Sequence, residues 1–318
     1  MMTLVANPNE VLWVQKYRPN TVADCILPVA TKATIQKMVD SGDLPNLLLV
    51  GTSGTGKTTI AKAALNELGC DYIVINGSLE NGIDVLRTKI ANFASAVSFS
   101  GGRKFVIIDE ADYLNPNSVQ PALRNFIEEY SKNCGFIFTC NFKNRILKEV
   151  RSRFSEIDFT IPKDEQQGLI LQFFKRVCSI LDNEGVVYEK SVVARVVQRY
   201  FPDFRRTLGE LQSFSATGKI DETMFVDLKG ESVDEVFRLM KEKKFTDLRK
   251  WVASNATSDA SELFRALFDA SVEKVELKSQ PGFIVTIAEY QYKHAFVADP
   301  EINMMACIVE LMLETAFK

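Results

Sequence analysis

Residues 51–58 read GTSGTGKT and follow directly on the apolar run LLLV at 47–50. The pattern G-x-x-x-x-G-K-[ST] has a physical content. Gly51, Gly54 and Gly56 let backbone N–H groups turn inward around an anion, with Thr55 between them, and Lys57 reaches terminal phosphate oxygens. Thr58 offers a hydroxyl to a divalent cation, with Thr59 beside it. The helical stretch TTIAKAALNEL comes next, so the positive end of a helix points at the same place. Strand, glycine loop and helix in this order predict a site for ATP and Mg2+. A flexible Gly/Thr loop is the plain alternative, and the placement between strand and helix argues against it.

Working outward, four more runs of strand length lie before residue 163: YIVI at 72–75, FVII at 105–108, FIFT at 136–139 and IDFTI at 157–161, which Pro162 closes. Helix-like patterns such as 119–130 fill the spaces. The alternation predicts a mostly parallel sheet covered by helices. Beyond Pro162 the strand-like runs stop. Residues 165–181, 189–200 and 204–214 read as three helices, with Asp203 placed to cap the third. A Gly/Lys/Asp-rich patch at 218–229 looks like a boundary, and the helical pattern resumes from Val233, including 262–276 and the apolar stretch 303–317. The expected plan is an α/β domain over 1–163, a helical domain over 164–228 and a second helical domain over 229–318.

Composition excludes several classes. The chain has 318 residues, with 46% hydrophobic and 25% charged residues, the balance of a soluble globular protein. No apolar run approaches the roughly 20 residues of a membrane span, so no membrane is expected. MMTLVANPNE at the start lacks a basic region and an apolar core, so no secretory signal is expected. Six cysteines (Cys25, Cys70, Cys134, Cys140, Cys178 and Cys307) form no C-x-x-C pair and read as reduced thiols of a cytoplasmic protein. One histidine, His294, removes His-based zinc sites and His-dependent nucleophilic catalysis. Net charge is −3, against a generic DNA coat, yet residues 1–163 hold 18 Lys and Arg against 16 Asp and Glu and are the only part with a positive balance.

In a parallel sheet, ligands sit outside the carboxyl ends of the strands. The first strand runs into the glycine loop, the run at 105–108 into Asp109 and Glu110, and the run at 136–139 through Cys140 into Asn141. Phosphoryl transfer gives these groups roles: Asp109, with Thr58, holds Mg2+; Glu110 orients and deprotonates an attacking water; Asn141 hydrogen-bonds that water or the terminal phosphate. Each has a plain alternative as a cap or turn residue. Arg151 and Arg153 in KEVRSRF, and Arg205 and Arg206 at a helix start, are guanidinium donors for a transferring phosphoryl group, from this chain or a neighbouring one.

Together WVQKYRP (13–19), GTSGTGKT, FVIIDEAD (105–112), the Thr-Cys-Asn at 139–141, RSRF (151–154) and FPDFRRTLGELQSF (201–214) resemble the AAA+ ATPases, and more closely the sliding-clamp loaders of T-even-type phages and the replication factor C small subunits. The resemblance implies an AAA+ domain, a three-helix lid and an all-α collar. It also implies an ATPase stimulated by DNA and by a sliding clamp, in a hetero-oligomer, a pentamer, that opens the clamp on primer–template DNA in the cytoplasm (the host's, if phage-encoded). Val14, Gln15, Lys16, Tyr17 and Ile26 would line an adenine pocket. Asn141 and Arg205 would sense the nucleotide, and Arg153 would complete a neighbour's site, with Arg151 the competing choice because Phe154 stands where the family has Cys. Gln120 and Arg124 would couple adjacent subunits, and a helix opened by Asn76, Gly77 and Ser78 would grip DNA phosphates.

The four-cysteine zinc module of the bacterial loader is missing, which favours the phage or eukaryotic–archaeal branches. Residues 109–112 spell Asp-Glu-Ala-Asp, but a helicase needs a second sheet-containing lobe and the chain after Pro162 reads as helical. A non-hydrolysing nucleotide-binding stator and another AAA+ remodeller, such as a helicase loader, are the alternative functions.

Overall fold

The structure is a computed structural model and describes residues 6–80, 82–96, 102–216, 218–222, 233–255, 260–294 and 296–318. Its core is one parallel sheet of β1 (Leu47–Val50), β2 (Tyr72–Asn76), β3 (Lys104–Asp109), β4 (Cys134–Cys140) and β5 (Ser155–Asp158), in the order β2-β3-β4-β1-β5. The central strands are unbroken apolar runs because both faces are covered. Leu48, Val50, Val106, Ile108, Phe136 and Phe138 pack on one face against α4 (Ile83–Ser95) and α5 (Val119–Glu129). Leu47, Leu49, Phe105, Ile107 and Ile137 pack on the other against α2 (Val29–Asp40) and α3 (Lys57–Glu67). Each such fully buried side chain contributes about 1.5–3 kcal/mol.

Sheet order positions the site. β4 and β1 are neighbours with Val50 opposite Cys140, and β3 pairs β4 with Ile108 opposite Phe138. The ends of β3, β4 and β1 therefore lie side by side, and Asp109, Asn141 and Gly51 leave the sheet at one edge.

β5 departs from expectation: it spans Ser155–Asp158, not 157–161. Val50, the last residue of β1, accepts the Phe159 N–H at 2.7 Å, and β1 then leaves for the glycine loop, so the ladder has no further partner. The Asp158 carboxylate accepts the Thr160 N–H at 2.8 Å and turns the chain.

After the sheet come α7 (Lys163–Asn183), α8 (Lys190–Tyr200) and α9 (Phe204–Ser215). Asp203 caps α9 by accepting the Arg206 N–H at 2.9 Å. The expectation that strands stop at Pro162 is corrected by a two-residue parallel pair, Val187–Tyr188 with Lys219–Ile220. The N-terminal arm forms a short helix, α1 (Trp13–Lys16), tied to α9 where Gln212 accepts the Trp13 N–H at 2.8 Å and donates to the Val11 carbonyl at 2.9 Å.

The chain divides into two compact units, Met1–Asp221 and Glu222–Lys318. The boundary expected at residue 228 lies outside the described residues. The second unit packs helices Val233–Lys241, Phe245–Asn255, Ala260–Lys274, Gln280–His294 and Pro300–Glu314 around Phe237, Trp251, Phe264, Phe283 and Ile308. Its last helix has Pro300 at the first position and Asp299 as cap, accepting the Glu301 and Ile302 N–H groups at 2.9 and 3.2 Å.

Candidate active site

The glycine loop leaves β1 with left-handed backbone at Gly54 (φ 75°) and Gly56 (φ 91°), which residues with a Cβ rarely adopt. The loop also meets the helical segment after β5. The Gly54 carbonyl accepts the Phe204 N–H at 3.2 Å, and a Cβ on Gly54 would overlap the Asp203 carboxylate. α3 begins at Lys57, whose buried ammonium donates to the Gly51 and Thr52 carbonyls, both at 2.7 Å, and to Asn141 Oδ1 at 2.9 Å. Burial lowers the Lys57 pKa, and the nearby Cys140, Asp109 and Asp112 oppose that shift.

Asp109 Oδ1 accepts two hydroxyls, Thr58 at 2.6 Å and Thr139 at 2.5 Å. Thr139 Oγ1 also accepts the Glu110 N–H at 3.1 Å. Glu110 itself has left-handed backbone, φ 57° and ψ 44°. The turn is closed from behind by Gly77, whose N–H donates to the Asp109 carbonyl at 2.7 Å. A Cβ on Gly77 would lie 2.7 Å from the Glu110 carbonyl oxygen, so only glycine lets β2 approach so closely. Asp112 Oδ2 accepts the Asn141 and Phe142 N–H groups at 3.3 and 3.2 Å and fixes the turn after β4.

These groups open into a cleft with about 1090 Å³ of non-atom space, open solvent included. Its floor carries Lys57, Thr58, Asp109, Glu110 and Asn141; its apolar walls include Val14, Tyr17 and Ile26 from the arm and Phe173, Phe204 and Leu208 from α7 and α9. The Phe173 and Phe204 rings lie 4.5 Å apart.

The expected residues thus divide. Gly54, Gly56, Lys57, Thr58, Thr59, Asp109, Glu110, Asn141, Val14, Tyr17, Ile26 and Arg205 line one cleft. Gly51 and Thr55 stand behind it, Gly51 under the Phe159 Cβ and Thr55 bonded to the Thr52 carbonyl at 2.8 Å. Gln15 is exposed, and Lys16 faces away to an ion pair with Glu184 at 2.6 Å; α1 presents only Val14 and then Tyr17, three residues on, to the cleft. Arg206 stacks over Tyr200 at 4.7 Å, leaving Arg205 as the arginine of that pair in the cleft.

Neither Arg151 nor Arg153 lines the cleft. Arg151 pairs with Glu156 at 3.2 Å, and Arg153 donates through Nε to Glu128 at 3.0 Å. Gln120, expected to couple adjacent subunits, is instead 1% exposed within this chain: it donates to the Leu114 and Arg145 carbonyls, both at 3.0 Å, and accepts the Leu147 N–H at 2.8 Å, joining the loops after β3 and β4. Arg124 is exposed. Ser78 opens no helix; its N–H and hydroxyl bond Asn76 Oδ1 at 2.8 and 2.7 Å in a turn, and α4 starts at Ile83.

Residues missed from sequence are Arg18, Thr139, Cys140, Phe173, Arg176 and Phe204, all of which line the cleft. Thr139 lies two before Asn141 and so on the same face of its strand. Phe173, Arg176 and Ile180 share one face of α7 at helical spacing, a readable signal.

A five-stranded parallel sheet with a glycine loop after its first strand and an acidic pair after the third defines a P-loop ATPase of the AAA class. A family model described as ATPase family associated with various cellular activities (AAA) matches residues 47–161, and one for the sliding-clamp-loader large subunit, AAA+ ATPase lid domain, matches 165–226. The sliding-clamp-loader large subunit of Enterobacteria phage T4 is 34% identical over 99% of this chain and 100% of its own, and that of Escherichia phage RB69 is 33% identical over the same shares. Replication factor C subunit 4 of Homo sapiens is 32% identical over 95% of this chain and 88% of its own. The chain belongs to the sliding-clamp-loader large-subunit family of the AAA+ ATPases and is a clamp-loader subunit. The structure of the Thermotoga maritima RuvB Holliday junction branch migration motor shares the fold, with a TM-score of 0.51 at 18% identity over 76% of this chain and 87% of that one.

Proposed function

We propose that this subunit binds and hydrolyses ATP with Mg2+ in the cleft, and that hydrolysis drives a loader that opens a sliding clamp and sets it on primer–template DNA. The observation that carries the reading is the linked set Lys57–Asn141 and Thr58–Asp109–Thr139, which brings three strand ends to one point. The residues fit the metal. No cluster of three or more His, Cys, Asp or Glu residues occurs among the described residues, and Mg2+ in such sites takes one carboxylate and one hydroxyl with the rest from phosphate and water. Asp109 and Thr58 would hold it, and it would neutralise charge on the phosphates.

In this chain's own residues, Lys57 leaves the loop carbonyls for the terminal phosphates, and Asn141, released from Lys57, orients the attacking water. Glu110 takes that water's proton. Val14, Tyr17, Ile26 and the α7 and α9 walls receive the adenine, and Arg205 reports the terminal phosphate to the helical segment. We assign 1–163, 164–228 and 229–318 to the nucleotide domain, lid and collar of a hetero-pentameric assembly that works in the cytoplasm. Arg153 acts in the neighbouring subunit's site, so its ion pair with Glu128 must open on assembly.

The test is steady-state ATP turnover in the assembled loader for Glu110→Gln, Arg153→Ala and a mixture of both. Each alone is expected to be nearly inactive. Recovery on mixing supports an arginine serving the next subunit; no recovery, although mixed assemblies form, moves the role to Arg151. Turnover that is unaffected by Glu110→Gln revives the non-hydrolysing stator.

A further inference from the structure

The arm that supplies one wall of the cleft is fastened to the helical segment after β5, and one side chain gathers it. Glu184 Oε1 accepts the Tyr17 hydroxyl at 2.5 Å and pairs with the Lys16 ammonium at 2.6 Å, and the Trp13 side chain adds a further hydrogen bond. Trp13, Lys16 and Tyr17 lie three and four residues apart, so a single turn presents them together. The Glu184 side chain is only 19% exposed. From Val22 onward the chain is tied instead to α3, where Glu67 accepts the Val22 N–H at 2.5 Å.

Glu184 stands where helix electrostatics disfavour it. It is the C-cap of α7, and the unpaired carbonyls at such an end favour a cation over a carboxylate. The groups that offset this repulsion, Lys16, Tyr17 and Trp13, all belong to the arm. α7 itself supplies a second wall. Phe173, Arg176 and Ile180 line the cleft from it, and Ile180 is one turn before Glu184. Glu184 therefore joins two walls of one cleft, the arm with Val14 and Tyr17 and the lining face of α7.

We propose that Glu184 is a positioning residue for base selection: by fixing the Tyr17 ring and the arm against α7, it sets the width of the slot that takes a purine. The inference rests on the reading that the cleft takes ATP with its base against the arm. A ring held by its own hydroxyl keeps one place, and a preformed slot costs less to fill than one ordered on binding. The effect belongs to the base, because the phosphate loop is held by bonds of its own, Lys57 to the Gly51 and Thr52 carbonyls.

The experiment measures ATP binding by calorimetry and UTP by competition, with Mg2+, on the full chain carrying Glu110→Gln to suppress turnover. UTP shares the ribose and triphosphate, so the comparison isolates the base. Glu184→Ala is expected to weaken ATP about tenfold while UTP moves less than about threefold, lowering the preference for ATP. Glu184→Gln is expected to fall between, because the amide oxygen still accepts the Tyr17 hydroxyl while the charge opposite Lys16 is gone. Tyr17→Phe combined with Glu184→Ala is expected to cost less than the sum of the two, since both act through one bond. An unchanged ATP-to-UTP preference in Glu184→Ala, with both affinities intact or reduced alike, overturns the proposal and leaves Glu184 as a fastener of the arm; so does strict additivity in the double variant. Should Glu184→Ala fail to fold by circular dichroism, the preference in Glu184→Gln decides by the same criterion. Lys57→Ala is the separate control. If it leaves ATP bound as before, the ATP reading of the cleft fails, and the Glu184 assignment with it. If it abolishes binding while Glu184→Ala keeps the preference, only the Glu184 assignment fails.

Discussion

The strand-end groups and the arginines of this subunit are held in opposite ways. Lys57, Thr58, Asp109, Thr139 and Asn141 are bonded to one another or to the loop that carries them, at 2.5 to 2.9 Å. Arg18 and Arg205 face the same cleft from an arm and a helix, and Arg153 is occupied elsewhere by Glu128. The first set is pre-organised because parallel strands fix where their ends fall, and such placement is what electrostatic catalysis requires. The second set sits on elements outside the sheet. The difference separates groups tied to one another at the strand ends from groups carried by elements outside the sheet.

The sharpest way to break this comparison is Arg153→Ala. In the assembled loader, turnover is expected to fall about 10³-fold, the order seen for arginine fingers, while the single chain binds ATP unchanged by calorimetry. Weaker ATP binding by the single chain would put Arg153 with the strand-end groups. Next comes Glu110→Gln, with turnover down about 10²-fold or more and ATP still bound, because the amide keeps the shape and loses the base. Gln120→Ala tests whether the loops need their brace. Three backbone groups would lose their partner in a buried space, and urea denaturation is expected to show a loss of about 2 kcal/mol or more. A loss under about 0.5 kcal/mol would mean the loops hold themselves.

The smallest effect is the most discriminating. Glu110→Gly should abolish turnover yet raise stability by roughly 1 kcal/mol, since glycine relieves a left-handed backbone that glutamate adopts under constraint. The midpoint of denaturation measures it, with Glu110→Gln as the reference. A lower midpoint for the glycine variant would show that the turn is unstrained.

Much of the sheet and of the cleft lining was legible because runs covered on both faces read as apolar blocks, and residues that follow them line the cleft. The end of β5 was not, because Asp158 stops the strand through a side-chain turn and β1 withdraws its partner, neither of which a hydrophobic run encodes. The Val187–Tyr188 and Lys219–Ile220 pair is too short for periodicity to register. Helical spacing puts Gln120 on the face of Leu123 and Ile127, but it does not say what a polar group there would bond. Its burial is set by carbonyls at Leu114 and Arg145, which the sequence places six and twenty-five residues away. Lys16 was misplaced for a related reason: Glu184, its partner, lies in a different part of the chain and draws the ammonium off the cleft.

Gly54 is one of the unspecified positions in G-x-x-x-x-G-K-[ST], so the phosphate-binding pattern does not demand it. Its demand comes from its left-handed backbone and from Asp203, whose carboxylate fills the space a side chain would need. The two positions are therefore sterically coupled. A descendant that acquires any larger residue at 54 must first alter the turn before α9, and a chimera joining this loop to a foreign lid would fail at that seam even with every phosphate-binding residue intact.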